Sequence, residues 1–474
     1  MKPIQLFGAG TGHKSLVACA QRRLNCYWEI QSDGDKANAV IYGTPGTTLQ
    51  AVLPNIIRGM RVSGSLMTVV NGSIVSQLNT ALGQTLLSGS MTSMSGRVSM
   101  DVNATQMIIV DGIAGYIITL PSGAVTAIAD ADFRNGCRTC TYVGGYFIVE
   151  RPSTAQFWVC DLNNGLSWSA LFYQSAFSSA ETLVAVDSDH GVLILFGTTY
   201  MEYWTPNGAL DFPFGALRSA AQQYGLAAIW SRAHINNGIA FLGSNPQGEN
   251  QVFFLDLISG YAPQKISNSD IENIIRSLSV KSNATALSYM VDGHPMYQLT
   301  FPTDNISLLY DFGTSIWSET QTGVALTGRH VGDIAQTFNA VSYVSDYSNA
   351  NLYKVDPDSY TDNGTAIKRQ LVSRHLGDGN QGSIDELFVD MQTGVGLQSG
   401  QGSIPQIMLD VSKDGGRTYG NQRFLPMGVV GQYENRVIAR RVVNGRDKVV
   451  RLTMTDPVKF VITREGATVS GDYQ

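Results

Sequence analysis

The chain has 474 residues, 43% of them hydrophobic and 15% charged, with a formal net charge of -6. Soluble chains carry about 25% charged residues on average; here Ser, Thr, Asn, Gln and Gly take their place and strand formers run throughout, which excludes a disordered chain. No apolar run reaches the roughly 18 residues of a membrane span, and the acidic balance argues against a protein that coats nucleic acid, which needs Lys and Arg in excess on at least one face.

The start, Met1-Lys2-Pro3-Ile4-Gln5, leads into a Gly-rich stretch instead of the apolar core of a signal peptide, so export by that route is not expected. Phe7 to Ser15 looks like a phosphate loop but fails on spacing. His13 stands where the second glycine should precede Lys14, and neither a strand before nor a helix after supports it. The stretch reads as a flexible arm. Residues 1–50 as a whole read as an aromatic, Arg-containing N-terminal arm without clear periodicity.

From residue 51 to 370 one pattern recurs: an apolar strand, a polar or Gly-containing turn, then a second strand or an aromatic. Its landmarks are Asn71, Asp111, Asp161, Thr205, Asp256, Asp311 and Asp356, separated by 40, 50, 44, 51, 55 and 45 residues. A four-stranded propeller blade occupies roughly 40–50 residues. A lone blade cannot bury both faces of its sheet, whereas blades packed radially bury each other. The expectation is a mainly β chain with a β-propeller of six blades, seven being the alternative because each landmark need not be one blade. A chain of β-sandwiches is the bland rival. One short helix is expected where Ser269 and Glu272 have capping-box spacing and Ile271, Ile274, Ile275 and Leu278 share a face.

Residues 371–474 read as a separate antiparallel β-sandwich domain. Gly-rich loops at 377–382 and 393–403 separate alternating strands at 386–391, 407–411, 437–443, 448–454 and 458–463. Asn444-Gly445 reads as a hairpin turn between the third and fourth of these.

Catalytic, cofactor and metal sites are expected to be absent. Cys137-Arg-Thr-Cys140 has the spacing of half a zinc site but lacks a second pair. The five cysteines (19, 26, 137, 140, 160) are odd in number and read as reduced, mostly buried thiols of a protein made in the cytoplasm. The Asp187–His190 and Asp356–Gly364 loops fit no calcium spacing. Ser412-Lys-Asp414-Gly-Gly416-Arg-Thr418-Tyr419 matches the Asp-box of sialidase-like propellers, whose Asp and Ser bond backbone amides of a tight turn. Arg436, Arg440, Arg441, Arg446, Lys448 and Arg451 concentrate positive charge near the C-terminus, either as an edge that discourages aggregation or as a partner contact.

The order of several segments resembles the tail hub, or nozzle, family of short-tailed bacteriophages (podoviruses), also called packaged-DNA stabilisation proteins. The resemblance runs from about residue 23 to 420. It rests on Arg23-Leu-Asn25-Cys-Tyr27, Tyr42-Gly-Thr-Pro45-Gly46, Gly96-Arg-Val-Ser-Met100, Phe196 to Trp204 with Gly208, Ile271 to Ser277, and Ser412 to Gly420. It implies a non-enzymatic structural protein of the virion tail, made in the host cytoplasm. The family forms a homohexameric ring below the head-to-tail adaptor ring, extends the DNA channel and retains the packaged genome. Tailspikes or tail fibres flank the ring, a needle or plug closes it, and double-stranded DNA crosses the lumen without sequence-specific contacts; no membrane insertion is implied. In that setting Arg22 and Arg23 of the arm and the six C-terminal cations are candidate subunit or adaptor contacts. The alternative is a propeller glycosidase or lyase acting on host surface polysaccharide, with Arg and carboxylates clustered at one propeller mouth. A monomeric carbohydrate-binding or scaffold propeller is a third reading.

Overall fold

Each of the seven landmarks lies in, or immediately after, a strand of a different sheet. The computed structural model describes residues 5–8, 10, 15–16, 18–30, 37–176, 181–376 and 381–470. Blades one and two begin at Ile57–Ser63 and Ser99–Val102, and blades three and four at Cys140–Val143 and Leu183–Asp189; each is a four-stranded meander. Blade five is built on Gly238–Ser244 and Asn250–Leu255, blade six runs from Thr285–Val291 to Ile316–Thr320, and blade seven starts at Gly332–Phe338. Each blade touches the next, and the first strand of blade seven packs on those of both blade six and blade one, so the ring closes. It holds seven such sheets where six were expected from sequence. The landmarks slip from the turn after the second strand in blades one and two to the turn after the third in the rest, which spreads their gaps.

The central strands show why their sequences are apolar on both faces. In Gln106–Val110, Ile108 and Val110 pack towards blade three, while Met107 and Ile109 pack towards blade one. In Val192–Gly197, Leu193 and Leu195 join blade three, and Ile194 and Phe196 join blade five. Burying each such side chain contributes about 1.5–3 kcal/mol, so radial stacking supplies the core that an isolated blade lacks. The one α-helix among the described residues, Ser269–Ser277, seats Ile271 and Ile275 against Trp317 and blade five. Its cap is Asn268, one residue before the expected Ser269: the Asn268 side chain accepts the Ile271 N–H at 3.0 Å. Asn268→Ala is expected to cost about 1 kcal/mol in urea unfolding.

The C-terminal part is a two-sheet sandwich, but the N-terminal segment helps to build it. One sheet runs Cys26–Ile30, Ala39–Gly43, Val461–Ser470, Gly382–Met391, Val437–Gly445. The other contains Arg22–Leu24, Arg369–Val372, Val449–Met454, Gln406–Ser412 and Arg423–Pro426. Through Leu24, which pairs in parallel with Glu319, this second sheet continues into blade six as one nine-stranded sheet. Gly46–Val52 then supplies the outer strand of blade seven, antiparallel to Asn351–Asp356.

Three expectations therefore change. From Arg22 onward the described residues of the arm are mostly strand, and Leu6 and Phe7 are buried in the sandwich core; Lys14 lies outside the described residues. The cuts at 50/51 and 370/371 fall inside strands, Gly46–Val52 and Arg369–Val372. Asn444-Gly445 is no hairpin turn, because Val437–Gly445 pairs with Gly382–Met391 while Val449–Met454 pairs in the opposite sheet. The chain crosses between sheets there, and the positive φ falls on Arg441 (51°) instead.

Candidate assembly surface and junction site

The eight cations singled out from sequence separate into buried and exposed sets. Arg23 is buried and donates to the backbone oxygens of Gly8 at 3.1 Å and Trp317 at 3.0 Å, with burial lowering its pKa to about 10. Lys448 is also buried, its Nζ donating to Gly445 O at 2.9 Å and Gly382 O at 3.2 Å. Both tie this chain together internally, so neither is a surface contact: their backbone partners offset the burial of charge. Arg22 is half-buried and forks onto Glu319 at 2.7 and 2.6 Å.

Arg440 and Arg441 lie in Val437–Gly445 and Arg436 immediately precedes it; this strand ends the five-stranded sheet with no further strand beside it among the described residues. Arg436 pairs with Asp390 at 2.6 Å over the Phe388 ring, and Arg440 with Glu386 at 3.3 Å. Exposed pairs of this kind contribute 0–1 kcal/mol, roughly. Arg446 is exposed in the crossing between sheets. Arg451 lies in the other sheet, paired with Asp410 at 3.0 Å and stacked on Tyr419. The basic patch is thus divided between two sheets.

The Asp-box folds as its residues dictate. Asp414 accepts from the Arg417 and Thr418 amides at 3.0 and 2.9 Å, and Ser412 Oγ accepts from the Gly416 amide at 2.8 Å. Bonds from the Ser412 and Thr418 hydroxyls hold the Asp414 carboxyl well below its usual range. It is a turn in the sandwich, away from the propeller. Cys137 and Cys140 are buried free thiols whose pKa burial pushes up. Among the described residues no cluster of three or more His, Cys, Asp or Glu could hold a metal ion, and no helix is long and apolar enough to cross a membrane.

Sequence patterns gave no sign of the charge along the propeller axis. The first strands of the blades line a cavity of about 670 Å³ there. Arg61 pairs with Asp101, Arg97 with Asp333, and Arg232 and His234 with Asp187 at 2.8 and 2.9 Å. Burial pushes the Asp187 carboxyl up, but His234 and Arg232 outweigh it and hold the group well below the usual range. His234 is correspondingly raised: burial opposes its charge and the Asp187 carboxylate overcomes that. Another histidine titrates the other way. His330 is buried, its Nδ1 accepts the Gly332 N–H at 3.0 Å, and burial lowers its pKa. The unfolded chain therefore takes up this proton first, and the stability His330 supports is lost as pH falls through about 6.5. In urea unfolding at successive pH values, His330→Gln is expected to flatten the profile below about pH 6.5, whereas an unchanged slope would contradict this assignment.

Asn25 carries the junction of propeller and sandwich. Its φ of 53° turns the chain from the sheet holding Arg22–Leu24 into the one starting at Cys26. Its Nδ2 donates to Gln321 O and Lys368 O, both at 2.9 Å. Its Oδ1 accepts from the Thr320 hydroxyl and the Gln321 amide, both at 2.9 Å. Downstream, the Thr44 N–H donates to Asn25 O at 2.9 Å, and the Gly46 N–H to Ser359 O at 2.8 Å.

Two family models match this chain: bacteriophage P22 Gp10, beta-propeller, over residues 23–360, and bacteriophage P22 Gp10, beta-sandwich, over residues 368–470. The chain belongs to the P22 Gp10 family. It is a structural protein of the phage tail that stabilises packaged DNA, and it assembles into the virion tail with other structural proteins. Asn25 and Thr44 to Gly46, which lie in two of the segments carrying the resemblance, sit at this junction. The glycosidase alternative finds no support: the axial Arg and carboxylate groups pair with each other, and Asp187 is held ionised where a general acid needs its proton.

No curated protein matches the chain. Solved structures that resemble it include the BT4673 extracellular domain from B. thetaiotaomicron, at 6% identity and a TM-score of 0.43, over 66% of this chain and 39% of that one. The chain thus spans well under half the length of that protein. The N-terminal domain of Nup159 gives 10% identity and a TM-score of 0.40 over 69% of this chain and 97% of that domain. The Pan2 WD40 domain of Neurospora crassa gives 10% and 0.39 over 69% and 98%.

Proposed function

We propose that six copies of the chain form a ring below the head-to-tail adaptor ring, where they extend the DNA channel. Tailspikes or tail fibres flank the ring, and a needle or plug closes its far end. Double-stranded DNA crosses the lumen without sequence-specific contacts. The chain works by shape and not as an enzyme, and it is made in the host cytoplasm before joining the tail.

The observation that carries this reading is the family match over both domains, residues 23–360 and 368–470. Two features support it. The nine-stranded sheet shared by blade six and the sandwich makes one stiff block, suited to heterologous contacts that close a ring. The net charge of -6 suits a conduit through which DNA slides without sticking. Of the eight cations, Arg22, Arg436, Arg440, Arg441, Arg446 and Arg451 remain as contacts to a neighbouring copy or the adaptor.

Native mass measurement with negative-stain imaging of the full chain tests the ring. A six-fold ring with an axial hole, alone or with adaptor, is expected; a persistent monomer in the presence of adaptor contradicts it. Changing Arg440 and Arg441 together to Glu is expected to weaken assembly while leaving the unfolding midpoint unchanged.

A further inference from the structure

Between the propeller and the sandwich lies a second cavity, of about 270 Å³, whose deep end is formed by Tyr27, Gly43, Arg369 and Phe460. Arg369 is 1% exposed. Its Nη2 donates to Thr44 O at 3.3 Å, but its buried Nε and Nη1 have no hydrogen-bond acceptor. A buried guanidinium with unpaired N–H groups is costly, and native chains rarely leave one so. The nearest carboxylate of its own chain is engaged elsewhere: Asp362 takes the Thr322 and Thr47 hydroxyls at 2.9 and 3.4 Å. A Cβ on residue 43 would stand 2.1 Å from Arg369 Nε, so only glycine leaves room for the guanidinium here. Lys459, half-buried, adds a second cation to the wall, and Asp292 and Asp358 stand at the exposed rim.

We propose that this cavity is a seat for a carboxylate, which enters past the rim and takes the free Arg369 N–H groups with Lys459 beside them. A planar carboxylate group suits this arrangement. A phosphate dianion would bring both its charges on one group close to Asp292 and Asp358, whereas a dicarboxylate holds its second charge apart. The carboxylate is either a free small acid or an acidic side chain of a second copy; the seat is independent of whether the ring has six members.

The test uses the full chain and glutarate as probe, reading the thermal unfolding midpoint at ionic strength held constant with sodium chloride. Glutarate is expected to raise the midpoint saturably. Lys459→Met, which leaves the buried floor intact, should raise the half-saturating concentration on the order of tenfold, as loss of one charged contact implies. Arg369→Met should abolish the shift; should that variant fail to fold, the Lys459→Met comparison decides alone. Stabilisation no greater than that by chloride overturns the proposal, as does an effect that Lys459→Met leaves unchanged or one that inorganic phosphate equals. Sedimentation separates the sources: glutarate that disperses self-assembled chain points to a side chain of a second copy, and intact assemblies with bound glutarate point to a free acid. Both results support the seat.

Discussion

Asn25→Ala is expected to lower the unfolding free energy by about 5–6 kcal/mol, read as a shift of the urea midpoint. Four side-chain hydrogen bonds at about 1 kcal/mol each would be lost, and alanine at a φ of 53° adds about 1–2 kcal/mol of backbone strain. The groups left behind, Gln321 O and N–H, Lys368 O and the Thr320 hydroxyl, belong to buried residues. Because these bonds link blade six to the first strands of the sandwich, the variant should also separate the unfolding of the two parts. Calorimetry of Asn25→Ala is expected to show two transitions where the native chain shows one. A midpoint within 1 kcal/mol of the native chain, roughly the effect of an ordinary surface change, would contradict this role.

Gly46→Ala is the second large effect. A Cβ at this position would lie 2.2 Å from the backbone oxygen of Thr361 and 2.8 Å from that of Ser359. Both obstacles are main chain, so neither can swing aside as a side-chain tip would. The closeness arises because Gly46–Val52 is hydrogen-bonded on both sides, to Asn351–Asp356 and, through Thr47, to Asp362. That strand closes blade seven and hence the propeller. Displacing it is expected to cost about 3 kcal/mol or more and to expose Tyr343 and Leu352, which pack beneath it. Dye binding by the variant at a temperature where the native chain is silent would register the opening, and native-like behaviour would contradict the closure.

These two positions also show where sequence reasoning reaches its end. The blades were legible because their signal is local: an apolar strand and its turn, such as Met107 to Asp111, are neighbours in the chain. The helix was legible to within one residue of its cap. The destination of residues 22–52 was not, because Arg22–Leu24 finds its partners at Glu319 and at Gln370 to Val372, some three hundred residues away. Nothing in a three-residue strand encodes such a partner. Asn444-Gly445 misled for the opposite reason. Its composition suits a hairpin, but register with Gly382–Met391 carries the strand through it to the edge of the sheet. Arg23 and Lys448 read as surface charge because the carbonyl oxygens that receive them are main-chain groups, which composition cannot display. The axial pairs escaped for a similar reason. Arg61, Asp101, Asp187 and Arg232 lie on four different blades, and each pair meets only when neighbouring blades pack. The resemblance included Asn25 and the Thr-Pro-Gly segment, but it said nothing of the junction they form or of the hydrogen bonds that hold it.

The central claim is that this chain is a structural tail part whose task is to keep packaged DNA in the particle. Its most direct test is the nuclease sensitivity of DNA in phage particles assembled without the chain and then supplied with it. Particles lacking it are expected to package DNA and then lose it to the nuclease, and addition of the purified chain soon after packaging should protect the genome. Particles that keep their DNA equally well without the chain would contradict the account.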